Sequence, residues 1–205
     1  MLAGTAAADA VARATEQTWP NGPHRIRGDR GAGRSAVRTL SVTRATLVAV
    51  TGWQEFTEQA PELAQTARAR LESARHHVLA TLRADGSPRV SGTEVGWYRG
   101  DLVLGSMPGA RKARDLQRDG RFAVHANPGD GSMAEPDVKL SGTATEVTGD
   151  EQAAWVAEVG PPQDDAHLFR CALNEVVTTT VSEDETHLVI TSWTPEHGVR
   201  VFKRA

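Results

Sequence analysis

From residue 76 onward, short runs rich in apolar and β-branched residues recur along the chain, each bounded by Gly, Pro, Asp or Asn. Such runs read as β-strands. The first is HHVLATL (76–82), followed by RVSGTEVGW (89–97), DLVLGS (101–106) and RFAVHA (121–126). Then come VKLSGTATEV (138–147), the long HLFRCALNEVVTTTV (167–181) and HLVITSW (187–193), with a last short strand at 199–204. Asp85-Gly86 between the first two runs is a strong hairpin signal, and Arg99-Gly100-Asp101 makes the next turn. Three segments switch to the helical period. Residues 61–74 open on Pro61 and Glu62, and Leu63, Ala67, Leu71 and Ala74 share one face, with Phe56 placed to pack beside them. Residues 110–118 are built from good helix formers. Thr148 to Glu151 has capping-box spacing and opens a helix to Val159, with Trp155 and Val159 on one face; Gly160-Pro161-Pro162 ends it.

The pattern predicts about seven strands and two or three short helices, a mainly β chain of the α+β class. Strands so close in sequence pair antiparallel, and a small barrel that closes its own edges is the economical arrangement. The predicted domain spans residues 51–205. Residues 1–50 lack periodicity and are rich in breakers, so a disordered basic extension is expected there. That segment holds seven arginines against three acids, a balance of +4, leaving −7 for the remainder within a net charge of −3. A targeting peptide, a basic nucleic-acid arm and translated upstream sequence with the true start near Val50 are the competing readings; the last is favoured, because folding signals begin only at Trp53.

Composition narrows the function classes. The overall acidity argues against nucleic-acid binding. No run approaches the ~18 apolar residues of a membrane span. The single cysteine, Cys171, excludes an internal disulfide framework and CxxC metal sites, which fits a cytoplasmic protein. The sequence carries no GxSxG, HExxH, Walker A or strand-borne GxGxxG pattern. His76 and His77 are adjacent, so on a strand they face opposite sides and cannot clasp one metal together. With no built-in nucleophile or metal cluster, an enzyme here needs a cofactor for its chemistry.

The stretch most suited to holding one is GSMPGARKARDLQRDGR, residues 105–121. Arg111 and Lys112 fall in the first turn of the predicted helix, where unpaired N–H groups and the helix dipole already make the site positive. An anion resolves that conflict, and a helix N-terminus is a natural phosphate site. Ser106 just upstream adds a hydroxyl. The opposing reading is a solvated basic face. Trp193, at a strand end, is the best candidate for stacking on a ligand ring.

Arg89-Val90-Ser91, LVLGS, the ARK triplet and DLQRDGRFAV together resemble the pyridoxamine 5′-phosphate oxidase-like split-barrel superfamily, in its actinobacterial-type members. The resemblance implies an FMN-binding split β-barrel, a homodimer with flavin at the subunit interface, acting on a small-molecule substrate. By that resemblance Arg111 and Lys112 hold the FMN phosphate and Ser106 assists them. Arg89, Val90 and Ser91 run along the ribityl chain and ring edge. Trp193 corresponds to a C-terminal aromatic, and Lys139 falls on a matching later strand. One departure stands out. Where pyridoxamine 5′-phosphate oxidases carry a substrate-phosphate lysine, this chain has Glu94, and the C-terminal Arg-x-His signature is replaced by Arg200-Val201-Phe202. A carboxylate repels a phosphate dianion, so the expected activity is an FMN-dependent oxidoreductase other than pyridoxamine-phosphate oxidation. The alternatives are a reductase using the deazaflavin F420, favoured by Arg114 and Arg118 beyond the first pair, and a non-enzymatic flavin or haem binder, with His76, His77 or His125 as haem ligands.

Overall fold

The computed structural model describes residues 51–129, 135–161 and 163–205; the expectations for residues 1–50 and for Pro162 lie outside them. The elements run α1 (Trp53–Gln59), α2 (Pro61–Glu72), β1 (His77–Leu82), β2 (Pro88–Thr93), β3 (Val95–Tyr98) and β4 (Asp101–Ser106). They continue as α3 (Arg111–Arg118), β5 (Arg121–His125), β6 (Asp137–Val147), α4 (Gly149–Val159), β7 (His167–Val181), β8 (Leu188–Thr194) and β9 (Gly198–Arg204). The strands join in one antiparallel sheet along the path β2-β1-β5-β6-β7-β4-β3. β7 is long enough to pair β4 at its start and β8 at its end, while β6 runs along its other side.

Two hairpins follow the turn chemistry. Gly86 takes φ 82° between β1 and β2, and Arg99 and Gly100 take φ 51° and 89° between β3 and β4. Both residues of the second turn are left-handed, as a two-residue hairpin with right-twisted strands requires.

Three expectations need correction. The run 89–97 is not one strand: it breaks at Glu94, so that β2 pairs β1 while β3 turns away to pair β4. The break, the C-terminal strand Gly198–Arg204 and α1 bring the described count to nine strands and four helices. The break also leaves the barrel open, because among the described residues no ladder joins β2 to β3. The capping box at the start of α4 is not formed either: Thr148 makes no side-chain cap bond. Glu151 instead pairs with Arg170 of β7 at 2.5 Å.

The core lies where the sheet meets α1, α2 and α3. Leu79, Val124, Val138, Leu140, Phe169, Leu173 and Val176 from the strands meet Trp53 and Phe56 of α1, Leu63, Ala67 and Leu71 of α2, and Ala113 and Leu116 of α3. Cys171 is fully buried among them, and burial pushes its thiol far up. It is a core residue rather than a nucleophile. α4 closes a second cluster, with Trp155 against Tyr98, Val103, Val147 and Leu168. Val159, one turn on, stays exposed. No helix among the described residues is long and apolar enough to cross a membrane.

The start of β1 carries a buried titratable group. His77 is 3% exposed, and its Nδ1 accepts the Asn127 backbone N–H at 3.2 Å. Burial lowers its pKa from 6.5, against an opposing pull from the backbone at Leu71 and Ala74. The unfolded chain therefore takes up a proton near pH 6.5 that the folded one refuses, so stability falls as pH drops below that value, by at most about 1.4 kcal/mol per pH unit. His77→Asn keeps an acceptor near Nδ1 and cannot titrate. Melting temperatures read from pH 7 to 5 should show a shallower acid decline for this variant than for the wild type. Parallel curves would rule His77 out as the source.

Candidate functional site

α3 begins without a cap. Its Ncap residue, Ala110, offers no side-chain bond, and no acid lies in its first turn. Arg111 and Lys112 are its first two residues, so cations sit where the helix is already positive.

The two cations do not converge. Arg111 lines a cleft of about 390 Å³ together with Arg83, Arg89, Arg114, Arg118, Asp85 and Asp115. Lys112 points elsewhere, and its Nζ donates to the Gly92 carbonyl of β2 at 2.8 Å. Burial lowers its pKa, an effect that Glu94 partly opposes. Successive residues on a helix do not face each other, which accounts for the divergence. The outcome is a helix N-terminus lying along β2. Arg111 stands near the Arg89 end and Lys112 reaches the Gly92 end, about 10 Å further along at strand rise.

Between those ends β2 presents Val90, 72% exposed, and Ser91, half-buried. Arg89 of the same strand is tied at Nε to Asp115 of α3, at 2.5 Å. Asp115 also accepts from Thr81 Oγ1 at 3.0 Å and from Arg118 Nη2 at 3.2 Å. Burial alone pushes the Asp115 carboxyl up, but the bonds from Arg89, Thr81 and Arg118 together outweigh it and hold the group below the usual carboxylate range. Arg118 further donates to the Leu82 carbonyl, and Arg83 to the Pro88 carbonyl. Arg111 and Arg114 have no ion-pair partner among the described residues. The cleft thus holds five guanidinium groups against two carboxylates, one of which is already shared by two arginines.

The remaining expected site residues are scattered. Ser106 ends β4 with its Oγ buried and unpaired, outside the lining of the cleft. Trp193 is 0% exposed, with its ring 4.6 Å from that of Phe56 between centroids. A ring with no exposed face is a core residue of this chain, not a stacking platform. Lys139 ends in an ion pair with Asp137 at 2.6 Å. Glu94 pairs with Arg75 at 2.9 Å and lies 3.6 Å from His76. His76 lies exposed just before β1, His77 is buried at its first position, and His125 Nε2 engages Asp137 at 3.2 Å; the three form no metal-holding cluster among the described residues. Arg83 and Asp115 went unrecognised in the sequence. The one available signal for Asp115 was a lone acid among the cations of RKARDLQR.

Comparison with known proteins gives three findings. Residues 63–180 match the family described as Pyridoxamine 5′-phosphate oxidase. No curated relative matches the chain by sequence. Solved structures share the fold. PhzG from Burkholderia lata 383, in complex with tetrahydrophenazine-1-carboxylic acid, aligns with TM-score 0.53 and 14% identity over 72% of this chain and 90% of its own. A pyridoxamine 5′-phosphate oxidase-related, FMN-binding protein from Nostoc punctiforme PCC 73102 aligns with TM-score 0.52 and 14% identity, over 71% and 96% respectively.

Proposed function

The chain belongs to the pyridoxamine 5′-phosphate oxidase family, and from that premise we propose that it is an FMN-dependent oxidoreductase whose cofactor phosphate is held in the arginine-lined cleft. The observation that carries this reading is the gathering of Arg83, Arg89, Arg111, Arg114 and Arg118 around one cleft that runs along α3 from its uncapped start at Arg111 to its last residue, Arg118. Guanidinium groups at such a point match a phosphate dianion in charge and in fork geometry. The donor set therefore fits the group. Arg89 and Arg111 would hold the phosphate, Val90 and Ser91 would flank the rest of the cofactor along β2, and Lys112 would stand toward its far end. Bound there, flavin supplies hydride or electron transfer. The chain's own contribution is binding, orientation and a positive field. The fold shared with an FMN-binding protein supports the choice.

Glu94 argues for a substrate without a phosphate at that position. It already pairs with Arg75 and sits beside Lys112. We also take the molecule to be a homodimer, with β2 facing its twofold partner. Val78 and Val90 leave an apolar strip exposed on β1 and β2, where a second copy would cover it.

A second reading, the deazaflavin F420, is favoured by one observation. Arg83 and Arg114 stand in the cleft in addition to the pair that a single phosphate needs, and a longer acidic tail would use them. Titrating the full chain with FMN and with F420, each followed by its absorption band, tests both. A shifted, saturable FMN spectrum supports the first reading, and saturation by F420 alone supports the second. Failure of both ligands to bind removes them together.

A further inference from the structure

We propose that Asp115 is a positioning residue for the phosphate site, acting through Arg89; this rests on the cofactor assignment above. Asp115 is 3% exposed, yet it is the meeting point of three elements. Thr81 of β1 and Arg89 of β2 are directly opposed partners, so their side chains leave the same face of the sheet, toward α3. Asp115 Oδ2 accepts from both, and Oδ1 accepts from Arg118.

Two consequences follow for a ligand. The contact to Arg89 uses only Nε, which leaves both terminal nitrogens for the cleft with the side chain already fixed. Fixing an arginine in advance removes a rotamer entropy that binding would otherwise have to meet. The buried negative charge also allows Arg89 and Arg118 to sit close to Arg111 and Arg114 before any anion arrives. Without it, the like charges would push Arg89 away from the cleft. Asp115 thus shapes the site while offering the phosphate nothing to repel that is not already compensated.

The test uses the full chain, with FMN as the probe. Asp115→Asn keeps the shape and removes the charge. It should weaken FMN binding about 5- to 30-fold, less than the loss of a direct charged contact, because Asp115 acts through Arg89. If Asp115 acts through Arg89, the Arg89→Ala/Asp115→Asn double variant should bind no worse than Arg89→Ala alone. In the ligand-free protein, the Arg89 Nε–H resonance should be protected from exchange in the wild type and lose that protection in Asp115→Asn. Thr81→Val withdraws one donor from Asp115; it should shift affinity in the same direction by a smaller factor, and it decides the matter should Asp115→Asn not fold. Additive losses in the double variant, or an Arg89 Nε–H signal equally protected with and without the Asp115 charge, would overturn the proposal. The resonance needs no ligand, so a wild type that fails to bind FMN defeats the cofactor assignment and leaves the test of Asp115 standing.

Discussion

Gly142→Ala should abolish or severely weaken folding. Gly142 lies in β6 at the one register shift of the β6–β7 ladder, between Ser141 and Gly142. A Cβ placed there would stand 1.9 Å from the Ala172 carbonyl oxygen and 2.9 Å from its carbon. Both are backbone atoms of the neighbouring strand, so no side chain can swing aside. Relief requires separating β6 from β7 in the middle of the longest ladder, beside the buried Cys171 and Leu173. Overpacking usually costs 1–3 kcal/mol; against rigid backbone we expect on the order of 4 kcal/mol, a large share of the stability of an ordinary domain. The conformation is not the obstacle, since Gly142 has no left-handed φ. Space is. Urea titration of soluble protein, or the soluble yield itself, reads the effect. A midpoint within error of the wild type would mean that β6 and β7 are less tightly joined than described.

The largest functional effect is expected from removing two of the arginines that line the cleft, Arg89 and Arg111. Each charged contact to a phosphate is worth about 1.5–3 kcal/mol, and the two share one ligand, so their losses will not simply add. Arg89→Ala/Arg111→Ala should weaken FMN binding on the order of 100- to 1000-fold. Arg111→Ala alone should cost about 10- to 100-fold with an unchanged melting temperature, because Arg111 is exposed and has no ion-pair partner among the described residues. Lys112→Ala should cost less than Arg111→Ala, since its Nζ is directed at the Gly92 carbonyl rather than into the cleft. Calorimetric titration of the variants at one ionic strength measures all of these. An affinity for the double variant within threefold of the wild type would place the phosphate elsewhere.

Much of this was readable from residue order. β4 and β7 run between the same residues as their sequence patterns, and α3 is one residue shorter than its pattern. Strong β-branched runs and a compact block of helix formers leave few alternatives. The break at Glu94 was not readable, because RVSGTEVGW carries strand-forming residues on both sides of it. Which partner each half finds is decided by the sheet, not by local preference. The same limit explains Trp193. Its place near the end of a strand is visible in the sequence, but the face it occupies depends on α1, a short helix without a strong pattern, whose Phe56 packs against it. Arg111 and Lys112 looked like one doubly charged corner because they are adjacent in the chain; adjacency on a helix is what separates them. Asp115 and Thr81 lie far apart in sequence, and only the packing of α3 on β1 brings them together.

Comparing FMN with riboflavin on the unmodified chain tests the central claim most directly, because the two ligands differ only in the phosphate. If the arginine cleft seats that phosphate, FMN should bind at least ~100-fold more tightly than riboflavin, and the gap should narrow as salt is raised. Equal affinities at low salt would contradict the account, because the charges around Arg111 would then have no part in holding the cofactor.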